Sequence, residues 1–309
     1  MKIAIIGTGA VGGYFGGKLA QAGNEVTFIA RGEHLKAIRE KGLEVKSIKG
    51  DFKIYPANCT DKIEEIENPE LILVCVKAWQ VKETAEKIKQ VINENTDVIP
   101  LQNGILAAEE LCGFLPKKNV IGGLCRVFSK IESPGVINHM GLDPTIIFGE
   151  LDKAGSDRTV KIKNVFDEAL ITSVLSEDVE SEMWKKFLLI CSSGLLAVAR
   201  SSYGIVRELP ETRKMLNELF TEIYNVGIAS GVNLTPDTVE KTMKAVDGFD
   251  YNATSSLTRD VMEGRPSEIE YQNGTVVRLA EKLGIDVPVN RFIYNCILPM
   301  EKKASDTGV

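Results

Sequence analysis

The sequence predicts an α/β protein in which a Rossmann-type doubly wound sheet over residues 1–177 is followed by an all-helical domain over residues 178–309. Three observations predict it. A short apolar strand at the start of the chain runs into Gly7-Thr8-Gly9-Ala10-Val11-Gly12 and a helix pattern, apolar strand-like runs recur to about residue 150, and long helical patterns succeed one another after about residue 178.

Residues 2–6 (Lys-Ile-Ala-Ile-Ile) read as a strand, the helix that follows reaches about Ala22, and Val26 to Ala30 reads as a second strand. Residues 42–57 alternate about Lys49-Gly50-Asp51, as a hairpin insertion does. Leu71 to Val76 is a continuous apolar run, expected of a parallel strand buried on both faces. Val81, Ala85, Ile88 and Ile92 then line one helix face, and Thr96 to Leu101 forms another strand ending in Gln-Asn-Gly. Between 120 and 150, glycines alternate with short apolar segments, and Ser133-Pro134-Gly135 marks a turn between further strands. Helical patterns cover 181–200, 211–229, 236–247, 253–263, 267–283 and 289–302, with Pro210, Pro236, Pro266 and Pro288 near their starts, where a missing N–H costs little. The tail from Lys302 is expected to fray.

Composition narrows the function classes. The 309-residue chain is 44% apolar with a net charge of −6, so no overall basic field invites nucleic acid or an anionic membrane surface. The longest uncharged stretch, Phe187 to Ala199, falls short of the roughly 20 residues that span a bilayer, and no export signal precedes the first strand. The six cysteines are scattered and form no Cys-x-x-Cys pair, which reads as reduced thiols in a cytoplasmic protein. His34 and His139 stand alone, without a metal-ligand spacing, and read as surface or loop residues.

Gly7-x-Gly9-x-x-Gly12 gains specificity from its place between a strand and a helix. The first glycine permits the sharp turn, the second lets the backbone approach a pyrophosphate, and the third allows close helix–strand packing, with Thr8, Ala10 and Val11 completing the turn. The helix N-terminus then offers N–H groups and a favourable dipole to phosphate. At the end of the second strand, where an acidic residue selects the unphosphorylated ribose, the chain has Arg31, so NADP(H) is the expected cofactor.

Taken in order, the glycine turn with Arg31, Val76-Lys77-Ala78-Trp79-Gln80, Gln102-Asn103-Gly104, Trp184-Lys185-Lys186-Phe187, Ser255-Ser256, Ser267-Glu268-Ile269-Glu270-Tyr271-Gln272-Asn273-Gly274 and Gly284-Ile285-x-Val287-Pro288-x-Asn290 resemble the ketopantoate reductase (2-dehydropantoate 2-reductase) family over nearly the whole chain. That resemblance implies NADPH-dependent reduction of a small 2-oxo acid, ketopantoate in the pantothenate pathway, at a site shared by the two domains. It assigns Lys77 and Asn103 to the cofactor crevice and Lys186 to the general acid, which protonates the alkoxide left by hydride transfer. It further implies that Glu268 orients the acid and substrate, and that Asn103, Ser193 and Ser256 are substrate-side groups.

One departure touches the substrate. The family commonly has asparagines one and two turns beyond the lysine, whereas this chain has Ile190 and then Ser193-Gly194. A different 2-oxo acid with a more apolar tail is therefore an open alternative. A non-catalytic NADPH-binding sensor is another, although the retained Lys186, Ser256 and Glu268 argue against it. A homodimer is left open by the sequence.

Overall fold

The opening apolar run forms β1 (Lys2–Ile6), followed by α1 (Ala10–Gln21), β2 (Glu25–Ile29) and α2 (Gly32–Lys41) in a computed structural model that describes residues 1–141 and 143–306. The expected hairpin is present as β3 (Leu43–Ser47) and β4 (Phe52–Ile54), paired antiparallel with Leu43 opposite Ile54. Next come β5 (Asn58–Thr60), β6 (Leu71–Val74), α3 (Val81–Ile88), β7 (Asp97–Pro100) and α4 (Ala107–Cys112). β8 (Gly122–Arg126), β9 (Ser129–Ser133), β10 (Val136–His139), β11 (Thr145–Gly149), α5 (Asp157–Glu168) and β12 (Thr172–Leu175) complete this half of the chain.

β5-β2-β1-β6-β7 form one sheet, all neighbours parallel, with Ile6 of β1 opposite both Ile29 and Val74. The chain reverses its direction of travel across the sheet at β1, so the crevice beyond the C-terminal end of β1 is the switch point at which such sheets bind ligands. β6 is buried at every residue, which explains its uninterrupted apolar sequence. A second sheet, β4-β3-β10-β9, and a third, β12-β11-β8, are mixed.

Helix α1 lies between the first two sheets, and its glycines are what let it. A Cβ at Gly16 would lie 2.6 Å from Ile5 and 2.8 Å from Phe28 on one side, while Cβ atoms at Gly13 and Gly17 would lie 2.7 Å from Ile137 and 2.9 Å from Phe52 on the other. Each mid-helix glycine costs about 0.5–1 kcal/mol against alanine. The burial of Phe15, Leu19, Phe28 and Ile137 against the helix offsets that cost.

Contacts divide the chain into two units, one of Met1–Gln102 with Leu106–Val179 and one of Asn103–Ile105 with Glu180–Val309. The second unit is helical: α6 (Val179–Ala199), α7 (Tyr203–Glu208), α8 (Pro210–Ala229), α9 (Thr238–Asp247), α10 (Ser256–Met262), α11 (Asn273–Leu283) and α12 (Pro288–Asp306). The uncharged stretch of α6 supplies its core, with Phe187, Leu188, Cys191 and Leu196 fully buried. Among the described residues no helix is long and apolar enough to cross a membrane.

Three expectations are corrected. The helix expected over 267–283 is a single 3-10 turn at Ile269–Tyr271 and then α11, because the Glu270 carbonyl is taken by the side chains of Thr275 and Arg278. The tail does not fray at Lys302: α12 continues to Asp306 with Ala304 buried, and Thr307 to Val309 lie outside the described residues. His139 is a core residue, 1% exposed, its ring 4.8 Å from that of Tyr14 and its Nδ1 2.7 Å from Ser47 Oγ.

Candidate functional site

The three glycines of the turn have three different surroundings. Gly7 has φ +95°, and a Cβ there would sit 2.7 Å from the Val76 nitrogen, so both conformation and space demand glycine. A Cβ at Gly12 would sit 2.3 Å from the Gly7 carbonyl oxygen and 2.8 Å from Ile5, so the helix could not rest on β1. A Cβ at Gly9 would meet nothing within 4 Å. No neighbouring atom among the described residues requires glycine at position 9, so the backbone there is bare.

Gly7 N–H and Thr8 N–H both donate to the Ile29 carbonyl, at 3.2 and 2.8 Å, and the buried Thr8 hydroxyl donates to the same oxygen at 3.0 Å. These bonds tie the turn to the end of β2. The first bond of α1 is Gly13 N–H to the Gly9 carbonyl, so the N–H groups of Ala10, Val11 and Gly12 point out of the helix end. No acidic residue occupies the first turn of α1 and no side chain caps Gly9, which leaves the dipole to an incoming anion. Beneath the turn, burial pushes the Cys75 thiol well above its ordinary value, so it stays neutral and unreactive.

Arg31 follows β2, is exposed, and begins α2 as its N-cap without a capping bond from its side chain. One turn on, His34 Nδ1 accepts the Gly135 N–H at 3.0 Å, and the ring also meets the Thr8 backbone. Burial pulls this imidazole below its ordinary value, so the ring is neutral near neutrality and leaves the positive charge to Arg31. Lys77 follows β6 at the C-terminal edge of the sheet, exposed, with Nζ 5.7 Å from the centre of the Trp79 ring. Gln102 joins the ends of β6 and β7 by donating to the Val74 and Val76 carbonyls at 2.9 and 3.1 Å. Sequence reasoning passed over Gln102; its signal was its place in the Gln-Asn-Gly segment.

The second unit gathers the remaining candidates. Asn103 Nδ2 donates to Glu268 Oε2 at 3.4 Å, and Glu268 as a residue is 5% exposed. The backbone at Gly104 fits against the Tyr271 carbonyl, where a Cβ would come within 2.9 Å. These contacts group residues 103–105 with the second unit rather than with the sheet they follow. On α6, Lys186 and Ile190 are half-buried and one turn apart on the same face; Lys185, also half-buried, is paired with Glu182 at 2.7 Å.

Ser193 is 2% exposed; its carbonyl accepts from Thr258 at 3.0 Å and its hydroxyl sits at the Tyr203 phenol beside that of Ser192. At Gly194 a Cβ would lie 2.6 Å from both Asn273 Oδ1 and Ile293, leaving no room for a side-chain amide. Ser256, by contrast, is exposed as the first residue of α10, whose start is fixed by the Ser255 hydroxyl accepting the Thr258 N–H at 3.1 Å. The Ser255-x-x-Thr258 pattern was a readable signal for that cap.

Comparison with known proteins matches residues 3–153 to the family model described as ketopantoate reductase PanE/ApbA and residues 178–301 to its C-terminal counterpart. The chain is 28% identical over 295 residues to an uncharacterized oxidoreductase, YkpB, of Bacillus subtilis, covering 95% of this chain and 97% of that one. It is 30% identical over 301 residues to the 2-dehydropantoate 2-reductase of Pyrococcus abyssi, covering 96% and 97% of the two chains. Among solved structures, a PanE/ApbA family ketopantoate reductase from Ralstonia eutropha superposes with a TM-score of 0.91 at 29% identity, covering 99% of this chain and all of that one. The fold is also that of a D-mandelate dehydrogenase solved with NADH and anilino(oxo)acetate, with a TM-score of 0.89 at 24% identity over 99% of this chain and 100% of that chain.

Proposed function

The chain belongs to the PanE/ApbA ketopantoate reductase family, oxidoreductases that act on a CH–OH group with a nicotinamide dinucleotide, and from that premise we propose that it reduces ketopantoate to pantoate with NADPH. The observation that carries the proposal is the Asn103–Glu268 hydrogen bond. It joins two groups 165 residues apart that the motif match assigns to one site.

In this reading the N–H groups of Ala10, Val11 and Gly12 would hold the pyrophosphate, with Gly9 leaving the backbone bare and Gly7 and Thr8 fixing the turn. Arg31 would take the 2′-phosphate, and Lys77 and Asn103 would serve the nicotinamide end. When bound, the reduced nicotinamide supplies a hydride to the C2 carbonyl carbon of the 2-oxo acid. The Lys186 ammonium stabilises the alkoxide on the former carbonyl oxygen and gives it a proton. Glu268 orients that ammonium and the new hydroxyl, and Ser256 donates to the substrate carboxylate. Ser193, with its hydroxyl turned to Tyr203, enters as a residue that fixes α6 in register.

A second reading, reduction of a 2-oxo acid with a more apolar tail, is favoured by Ile190 and by the closed surroundings of Gly194. The D-mandelate dehydrogenase of like fold supports it by analogy. Turnover of ketopantoate beside an aromatic 2-oxo acid such as phenylglyoxylate separates the two readings.

Cofactor choice has its own test. A charge-assisted bond from Arg31 to a phosphate is worth about 1.5–3 kcal/mol, so Arg31→Ala should raise the NADPH KM about 10- to 100-fold and leave the NADH KM nearly unchanged. Equal losses for both nucleotides would remove Arg31 from the specificity argument.

A further inference from the structure

Helix α12 meets the segment that carries Glu268 through polar contacts at its start, middle and end. Asn290 Oδ1 accepts Asn273 Nδ2 at 2.9 Å. The Tyr294 hydroxyl donates to the Glu270 carboxylate. The Glu301 carboxylate accepts the Ser267 N–H at 3.0 Å and the Ser267 hydroxyl at 2.5 Å. Positions 290, 294 and 301 fall on one face of a helix of 3.6 residues per turn. Their partners at 273, 270 and 267 run the opposite way, so the segment is laid antiparallel along that face.

Glu268 sits between two of these contacts, 5% exposed, at the start of the 3-10 turn. Its own backbone is held by the Tyr271 N–H at 3.0 Å, and the next N–H, of Ile269, reaches Ser267 Oγ at 3.3 Å. Arg278 adds a second hold on Glu270 through its carboxylate and its carbonyl. Burial, and after it the Glu270 carboxylate, push the Tyr294 phenol up to about 12, so it remains a donor at any working pH. Asn290 is itself pinned to α8, donating to Glu222 at 2.7 Å and to the Leu219 carbonyl at 3.2 Å. Every one of these contacts lies within the second unit.

We propose that α12 is a brace that aims the Glu268 carboxylate, with Glu301 and Tyr294 as its positioning residues. The proposal rests on the reading of Glu268 as a group of the reaction. A carboxylate on a single 3-10 turn has little secondary structure of its own to hold it, and a misplacement of about 1 Å at a reacting group can cost roughly 100-fold in rate. Residues far from the chemistry then set kcat without touching the nucleotide.

The test compares Glu301→Ala, Glu301→Gln and Tyr294→Phe with Glu268→Gln and with Arg213→Ala, which removes an exposed ion pair to Asp247 on α8 and α9. Steady-state constants for NADPH and for ketopantoate as probe substrate are measured alongside thermal midpoints. Glu301→Ala and Tyr294→Phe should lower kcat about 10-fold or more, with the NADPH KM unchanged within about twofold. Glu301→Gln keeps an acceptor for the Ser267 donors and should recover kcat to within about threefold of wild type. The brace is overturned if Glu301→Gln is as slow as Glu301→Ala, or if both kcat losses merely match that of Arg213→Ala at the same loss of midpoint. If Glu301→Ala does not fold, Tyr294→Phe and Glu301→Gln carry the same comparison. A Glu268→Gln enzyme with full turnover brings down the reading of Glu268 and the brace together. A slow Glu268→Gln beside fast Glu301→Ala and Tyr294→Phe brings down the brace alone.

Discussion

Replacing Lys186 with alanine is expected to lower kcat by ~100- to 10,000-fold, the usual contribution of a positioned general acid, while NADPH binding survives. Every nucleotide contact assigned above except that of Asn103 comes from the first unit, whereas Lys186 belongs to α6 of the second. Lys185 is the internal control: neighbouring helix residues point about 100° apart. Its ammonium is already paired with Glu182 at 2.7 Å. Lys185→Ala should therefore retain turnover. Loss at Lys185 with retention at Lys186 would shift the assigned register, and full turnover in both variants would end the lysine mechanism. Single-turnover mixing with ketopantoate separates a chemical defect from slow product release.

The second large effect is a contrast between two glycines three positions apart. Gly9→Val is expected to leave the thermal midpoint within a few degrees of wild type, because a Cβ there meets nothing in the protein. It should nevertheless weaken NADPH binding by about 100-fold or more, equivalent to roughly 2.8 kcal/mol, because the new side chain takes the place assigned to the pyrophosphate. Gly12→Val should fail differently. Its Cβ would lie 2.3 Å from the Gly7 carbonyl oxygen and 2.8 Å from Ile5, so α1 must leave β1. Overpacking of this kind costs about 1–3 kcal/mol or more, and stability should fall with affinity. Nucleotide titration and thermal melts on the two variants distinguish these outcomes; unchanged affinity in Gly9→Val would remove the bare backbone at position 9 from the cofactor argument.

Much of the fold was legible because burial wrote it into local patterns. β6 is apolar throughout because neighbours cover both faces, and α6 shows a long uncharged stretch because it is the core of the helical unit. β12 left no such trace: it is an edge strand whose Thr172, Val174 and Leu175 face solvent, so its sequence carries no alternation. The break between the 3-10 turn and α11 was hidden because side chains of Thr275 and Arg278 take the Glu270 carbonyl, and the residues alone still spell a helix. His139 read as a surface residue because its partners Tyr14 and Ser47 are distant in sequence.

The candidate site was legible to a different degree. The glycine turn announces itself by spacing, since each glycine answers a separate steric demand. Asn103 was read with the strand it follows, yet its contact is Glu268, and no local pattern reports a bond across 165 residues. The same holds for Tyr294 and Glu301, whose meaning arises only when α12 is laid beside the Glu268 segment.

NADPH-dependent reduction of a 2-oxo acid is measured by wild-type kcat/KM values for ketopantoate and for 2-oxo acids with apolar tails, followed by NADPH consumption and product identification. Each NADPH oxidised should yield one 2-hydroxy acid, and ketopantoate should lead the series. NADPH binding that quenches Trp79 or Trp184 fluorescence, with no 2-oxo acid in the series turned over, would contradict it.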